Sequence, residues 1–172
     1  MKHTIISKVV SVGWSKLFFT GTILAFILFS GLIADEYKPT PYKLVYPSYF
    51  GNRISIPAEN PTTAEGVYLG RKLFYETRLS ANKKISCASC HQQENAFSDN
   101  RKFSVGVDES STDRHSMALI NLLWSRKFFW DGRAVGLEAQ AAIPLANPHE
   151  MGQTAEVSAE ILSKIAPYPE LF

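Results

Sequence analysis

Cys87-Ala88-Ser89-Cys90-His91 decides the fold of this chain. Two cysteines separated by two residues, with histidine directly after, form the attachment signature of a c-type haem. The thiols add across the haem vinyl groups, and the adjacent imidazole becomes the proximal iron ligand. The spacing suits the chemistry: one helical turn presents both sulfurs to the porphyrin edge, and the next residue reaches the iron. The chain has no other cysteine, so the motif uses its whole thiol inventory. Three other readings fit less well. A thioredoxin-like pair belongs beside a βαβ pattern, and none is visible. A zinc site needs about four ligands, and His115 and His149 stand at no zinc-finger spacing. A disulfide across two residues would be strained.

Outward from the motif, four helical patterns cover most of residues 62–166. The first runs over Thr63–Tyr75, with Val67, Gly70, Leu73 and Phe74 on one face. The second, Ser116–Trp124, is apolar almost all round and predicts a buried helix. The third spans Gly136–Ala142 and is stopped by Pro144. The fourth covers Thr154–Ala166, with Thr154 as cap and Val157, Ile161 and Ile165 at helical spacing. No strand pattern is visible. These observations predict an all-α, cytochrome-c-like haem domain with long loops over residues 62–172, where the haem itself supplies much of the core.

The ends of the chain carry different signals. Residues 1–34 hold Lys2, Lys8 and Lys16, no acidic residue, and the apolar run Leu17–Ile33. This is the layout of an export signal. It is also close to the lower length limit of ~17–25 residues for a spanning helix. Cleaved signal peptide and retained anchor both stay open. Either places residues 35–172 outside the cytoplasm, predicting a periplasmic protein, anchored to the inner membrane if residues 17–33 are kept. The exported part is about one domain long. Its 15 basic and 16 acidic residues nearly balance, which gives no argument for nucleic acid. Pro39, Pro41, Pro47, Pro57 and Pro61, with several tyrosines, make residues 35–61 an extended, turn-rich linker. The chain stops on Leu171-Phe172 without a polar tail, which reads as a cut within a longer protein.

Two further stretches carry candidate chemistry. Phe128-Phe129-Trp130-Asp131-Gly132-Arg133 reads as an aromatic patch with an Asp131–Arg133 ion pair around a glycine turn. Glu150, in Asn147-Pro148-His149-Glu150-Met151, reads by itself as a solvated loop carboxylate. Beside a haem the same carboxylate could move a proton between peroxide oxygens, and Gln140 could hold peroxide or water by hydrogen bonds.

Four features in order are far more specific together: S-C-A-S-C-H, R-H-S-M-A-L-I-N, F-F-W-D-G-R, and E-A-Q-A-A-I-P-L-A-N-P-H-E-M. With the preceding Leu69–Ser80 stretch they closely resemble the N-terminal haem domain of the bacterial di-haem cytochrome c peroxidases, the family that also contains MauG. The resemblance covers about residues 58–172. It implies one covalent haem c anchored by Cys87 and Cys90, with His91 as proximal iron ligand. It places the distal acid–base carboxylate on Glu150, the pocket glutamine on Gln140, and the electron-conducting tryptophan between haems on Trp130. The implied reaction is H2O2 + 2 e⁻ + 2 H⁺ → 2 H2O, with electrons from a small cytochrome c or copper protein.

Three departures stand out. Many members carry a distal histidine in the loop after S-x-G, and here Ser104-Val105-Gly106 is followed by Val107. The family's calcium site includes an asparagine where this chain has His115, a poor calcium ligand, so calcium is doubtful. Members also carry a second C-x-x-C-H domain, which this chain lacks. The resemblance therefore implies a missing second haem domain or a partner chain. Two other readings remain open at this point. One is a mono-haem electron carrier, with Met117 or Met151 as sixth ligand. The other is an inactive haem-binding fragment of a di-haem peroxidase.

Overall fold

The computed structural model describes residues 37–172. The expected signal or anchor, with its apolar run 17–33, lies outside the described residues. Among the described residues no helix is long and apolar enough to cross a membrane.

Helix α1 (Ala64–Phe74) starts where Thr63 Oγ1 accepts a hydrogen bond from the Gly66 N–H at 3.0 Å. Glu65 in its first turn and Arg71 and Lys72 in its last complement the helix dipole. Helix α2 is the single turn Cys87–Cys90, and its start is tightened by the Ser86 N–H donating to Ser89 Oγ at 3.0 Å. Helix α3 is Leu137–Ala146. Helix α4 is Ala155–Leu162, capped by Thr154 as its sequence predicts. Short 3-10 turns and loops connect them.

Three features differ from the sequence expectation. Residues 116–124 form no α-helix; they run irregularly and end in the 3-10 turn Leu122–Trp124. Their apolar character has another cause. Met117, Ala118, Leu119 and Leu122 line a cavity, and the stretch is tied to its neighbour by Leu119 N–H to Phe97 O (3.3 Å) and Ser98 Oγ to Ser116 O (2.8 Å). Pro144 does not stop α3, which continues to Ala146 with the proline inside. Its cost is one helical donor, the one that would reach the Gln140 carbonyl. A small antiparallel hairpin also appears: β1 (Lys127–Phe128) pairs with β2 (Ala134–Val135) in the register Lys127↔Val135 and Phe128↔Ala134. Phe128 and Ala134, directly opposite each other, are both buried. Strands of two residues are too short to show an alternating pattern.

The extended stretch from Pro39 to Pro61 packs on the helical part. Thr40 and Tyr42 bond to the α1 entrance, through Ala64 N–H to Thr40 O (2.8 Å) and Tyr42 N–H to Thr62 O (3.0 Å). Tyr46 and Phe50 close around Trp124, with ring centroids 5.1 and 4.8 Å away. Asn60 reaches Glu138 on α3 at 3.1 Å.

The C-terminal residues are pinned by a buried polar contact. The Tyr168 hydroxyl donates to Glu76 Oε2 at 2.7 Å, and Arg78 binds the same carboxylate, with Nε 2.7 Å from Oε1. Glu76 and Tyr168 are both buried. The Arg78 hydrogen bonds, aided by the one from Tyr168, hold the Glu76 carboxyl down at about 2, while burial and the Glu76 contact push the Tyr168 hydroxyl up to about 12.

A hydrogen bond to a buried charge is worth about 1.5–3 kcal/mol. Tyr168→Phe is therefore expected to lose about that much stability in denaturant unfolding at neutral pH. A carboxyl lowered by folding adds stability that is fully present above its unfolded value, 4.5, and is lost as pH falls through about 2. Glu76→Gln should flatten that acid limb. An unchanged acid limb would show that Glu76 does not carry it.

Candidate active site

The site is built upward from the loop behind the cysteine motif. Residues 92–98 form a tight bend, closed by Gln92 N–H to Ser98 O (2.9 Å) and Phe97 N–H to Gln92 O (2.8 Å). Ala96 and Phe97 both take left-handed backbone angles, φ 55° and 58°. Such residues cost about 1–3 kcal/mol each unless their surroundings hold them. The bend turns the Phe97 carbonyl back onto the histidine of the motif, 2.9 Å from His91 Nδ1. A carbonyl only accepts, so Nδ1 carries the ring proton and Nε2 keeps its lone pair. That is how a metal-ligating histidine is oriented and its tautomer set.

Cys87 and Cys90 are free, with no disulfide between them. Burial pushes both thiols up from the ordinary cysteine range. His91 and Cys90 form part of the wall shared by two adjoining cavities of about 480 and 390 Å³. Thr112, Leu119, Leu122, Gln140, Pro144 and Glu150 complete that shared wall. The larger lobe adds Trp130, His115, Met117 and Asp131. The smaller is mainly apolar and adds Leu73, Phe74, Ile85, Cys87, Leu145 and Met151. Two thiols, one oriented imidazole and an apolar slot opening into a more polar one fit a haem with an apolar body and polar edge. Among the described residues no group of three or more His, Cys, Asp or Glu side chains could hold a bare metal ion.

Of the candidate site residues, Cys90, His91, Gln140 and Glu150 line both lobes, Cys87 the smaller and Trp130 the larger. Gln140 lies half-buried on α3. Glu150 lies in the turn after α3, with Oε1 accepting from Asn147 Nδ2 at 2.9 Å. Trp130 lies at the hairpin tip, 63% exposed, with its indole N–H on the His115 carbonyl at 3.0 Å. Beside it the Arg133 guanidinium stacks 3.6 Å from the Phe129 ring, and Asp131 accepts from both Arg114 and Arg133. The Asp131–Arg133 pair expected from sequence is thus a three-member cluster.

The departures have structural counterparts. Val107 lies outside both lobes; its N–H donates to Glu150 O at 2.8 Å, and its side chain sits on Gly152. The neighbouring Gly106 has no room for a side chain, since a Cβ there would lie 1.8 Å from the His149 carbonyl oxygen. His115 has both ring nitrogens engaged, Nδ1 with Arg101 O (3.1 Å) and Nε2 with Ser98 Oγ (2.8 Å). Met117 and Met151 line different lobes.

Two contributors were not singled out from sequence. The Phe97 carbonyl leaves no mark, because any residue supplies a carbonyl. Asn147 does leave one: asparagine before proline is a turn initiator whose side chain bonds its own backbone two residues on.

Comparison with known proteins places this geometry. The chain is 40% identical over 116 residues to the methylamine utilization protein MauG of Methylorubrum extorquens, covering 67% of this chain and 33% of that protein. It is 37% identical over 117 residues to the cytochrome c551 peroxidase of Nitrosomonas europaea, covering 68% and 35%. The crystal structure of a MauG-like protein associated with microbial copper homeostasis superposes with a TM-score of 0.69 at 36% identity, covering 76% of this chain and 39% of that one. The chain thus spans about a third of the length of the two curated relatives. The family described as di-haem cytochrome c peroxidase matches residues 64–172, and the chain belongs to that family.

Proposed function

We propose that this chain is the peroxide-reactive haem-c domain of a cytochrome c peroxidase, reducing hydrogen peroxide to water. The observation that carries the reading is one cavity wall shared by Cys90, an oriented His91, Gln140 and Glu150. Cys87 and Cys90 would hold the porphyrin and His91 Nε2 would ligate its iron. A bound haem supplies the redox-active iron at which peroxide is reduced.

The remaining work falls to the protein. Glu150 would take the proton from one peroxide oxygen and return it to the other, which leaves as the first water, and the remaining oxygen would take up two electrons and two protons as the second. Gln140 orients the peroxide by hydrogen bonds. Trp130, exposed at the hairpin tip, is the entry for the two electrons the reaction consumes. They come from a small cytochrome or copper protein, by way of a second haem domain or partner chain. Covalent haem attachment supports a periplasmic location, with the segment 17–33 as export signal or anchor.

Covalent haem has a direct test. The exported protein should keep haem-dependent peroxidase stain on a denaturing gel, and Cys87→Ala or Cys90→Ala should weaken it. Haem that extracts into acidic acetone would defeat the assignment.

Val107 offers iron no ligand and lies outside both lobes. The ferric protein should therefore give a largely high-spin EPR signal and bind cyanide without prior reduction. A purely low-spin signal would instead point to Met151, Met117 or His115 as a sixth ligand, and so to the electron-carrier reading.

Glu150→Gln keeps size and removes the proton carrier. It should retain haem and fold yet slow the reaction with peroxide by roughly 10² or more in stopped flow. A loss below about fivefold would return Glu150 to the role of a solvated loop carboxylate.

A further inference from the structure

We infer that Asn147 is the positioning residue for Glu150, and that its amide reserves Oε2 as the carboxylate oxygen that handles the proton. The inference rests on the peroxidatic reading of Glu150. Its basis is the way one asparagine side chain is used at both ends. Asn147 Oδ1 accepts from the His149 N–H at 3.0 Å. A backbone N–H can only donate, so this contact fixes which end of the amide is oxygen. The nitrogen end therefore faces Glu150, where Nδ2 donates to Oε1 at 2.9 Å. Oε1 is committed as an acceptor, and a proton taken up by the carboxylate goes to Oε2.

The turn that carries both residues has little freedom. The Asn147 carbonyl accepts from the N–H groups of Glu150 (3.0 Å) and Gly152 (2.8 Å). From the far side Val107 N–H holds the Glu150 carbonyl at 2.8 Å, and Gly106 lies against His149. The charged neighbours are occupied with each other: His149 Nδ1 donates to Asp108 Oδ2 at 2.6 Å. Cys90 and Glu150 both lie on the shared cavity wall. Asn147 is thus the side chain that ties the Glu150 carboxylate to the backbone around it, and a reacting group held this way needs no reorientation during the proton transfer.

The test uses Asn147→Asp in the haem-loaded protein. Aspartate keeps the size and the acceptor for the His149 N–H, but sets a second carboxylate oxygen against Oε1. Two carboxylates in one place share a proton, and the pair releases it at higher pH than either alone. Infrared titration of the carboxyl stretch in the ferric protein, without peroxide, should show a proton retained about one pH unit or more higher than in wild type. Adding Glu150→Gln should abolish that shift. The acid limb of the peroxide rate should move up with the infrared titration, an effect that a merely structural role would not produce.

If Asn147→Asp does not fold, Asn147→Ala removes the donor to Oε1 together with the acceptor for the His149 N–H. It should slow the peroxide reaction about tenfold. An infrared titration unmoved by Asn147→Asp, or a shift that survives Glu150→Gln, overturns the inference. An infrared shift with an unmoved rate profile keeps the Asn147–Glu150 pairing and overturns the peroxidatic role.

Discussion

The hydrogen bond from His91 Nδ1 to the Phe97 carbonyl is the constraint on which the site depends. It fixes the ring tautomer, which leaves the Nε2 lone pair free, and it fixes the ring plane relative to the one-turn helix carrying the two thiols. The cost is local. Two successive non-glycine residues take left-handed angles so that a carbonyl can face backwards. The bend is stabilised by its own backbone bonds and by the stretch around Leu119, whose N–H shares the Phe97 carbonyl at 3.3 Å. That shared acceptor links the wall at 116–122 to His91. The apolar loop is therefore tied to the same point that orients the imidazole.

The packing follows from the same arrangement. Among the described residues the buried hydrophobic side chains are Phe128, Ala134, Met151, Leu162 and Tyr168. Of these only Met151, on the cavity side of its turn, and Phe128 line a lobe of the cavity. Much of the remaining apolar surface, from Leu73 and Phe74 of α1 to Leu145 of α3, faces the cavity instead of another element. A small domain stabilised this way depends on what fills it, since apolar area removed from water contributes about 25 cal/mol per Å². A haem seated there would supply both the chemistry and the missing half of the core.

What could be read from sequence follows from how local each cause is. The Thr63 and Thr154 caps and the α1 face are set by residues within a turn of one another, and both helices begin where expected. The attachment motif is equally local. The 116–124 stretch misleads because burial against a cavity and burial inside a helix bundle leave the same apolar composition. Pro144 misleads because α3 tolerates one lost donor near its end. The gathering of Gln140, Trp130 and Glu150 around His91 is not local at all. Those positions came from resemblance to a family, and no spacing rule would have placed a hairpin tip beside the turn after α3.

The distal side shows how a departure in sequence is absorbed by the fold. Position 107 sits in a loop that crosses the Glu150 turn, and with valine there the loop contributes backbone rather than a ligand. Gly106, Val107 and Asp108 each meet one partner on that turn: the His149 carbonyl, the Glu150 carbonyl and the His149 ring. Three consecutive residues thus act as a clamp. The glycine permits the close approach, the valine N–H supplies the bond, and the aspartate holds the imidazole at the rim. A loop fastened at three successive residues would have to break all three contacts to swing away. The valine has therefore not left a gap. It belongs to a segment that keeps the Glu150 turn in place, so the position of that carboxylate is set by the fold.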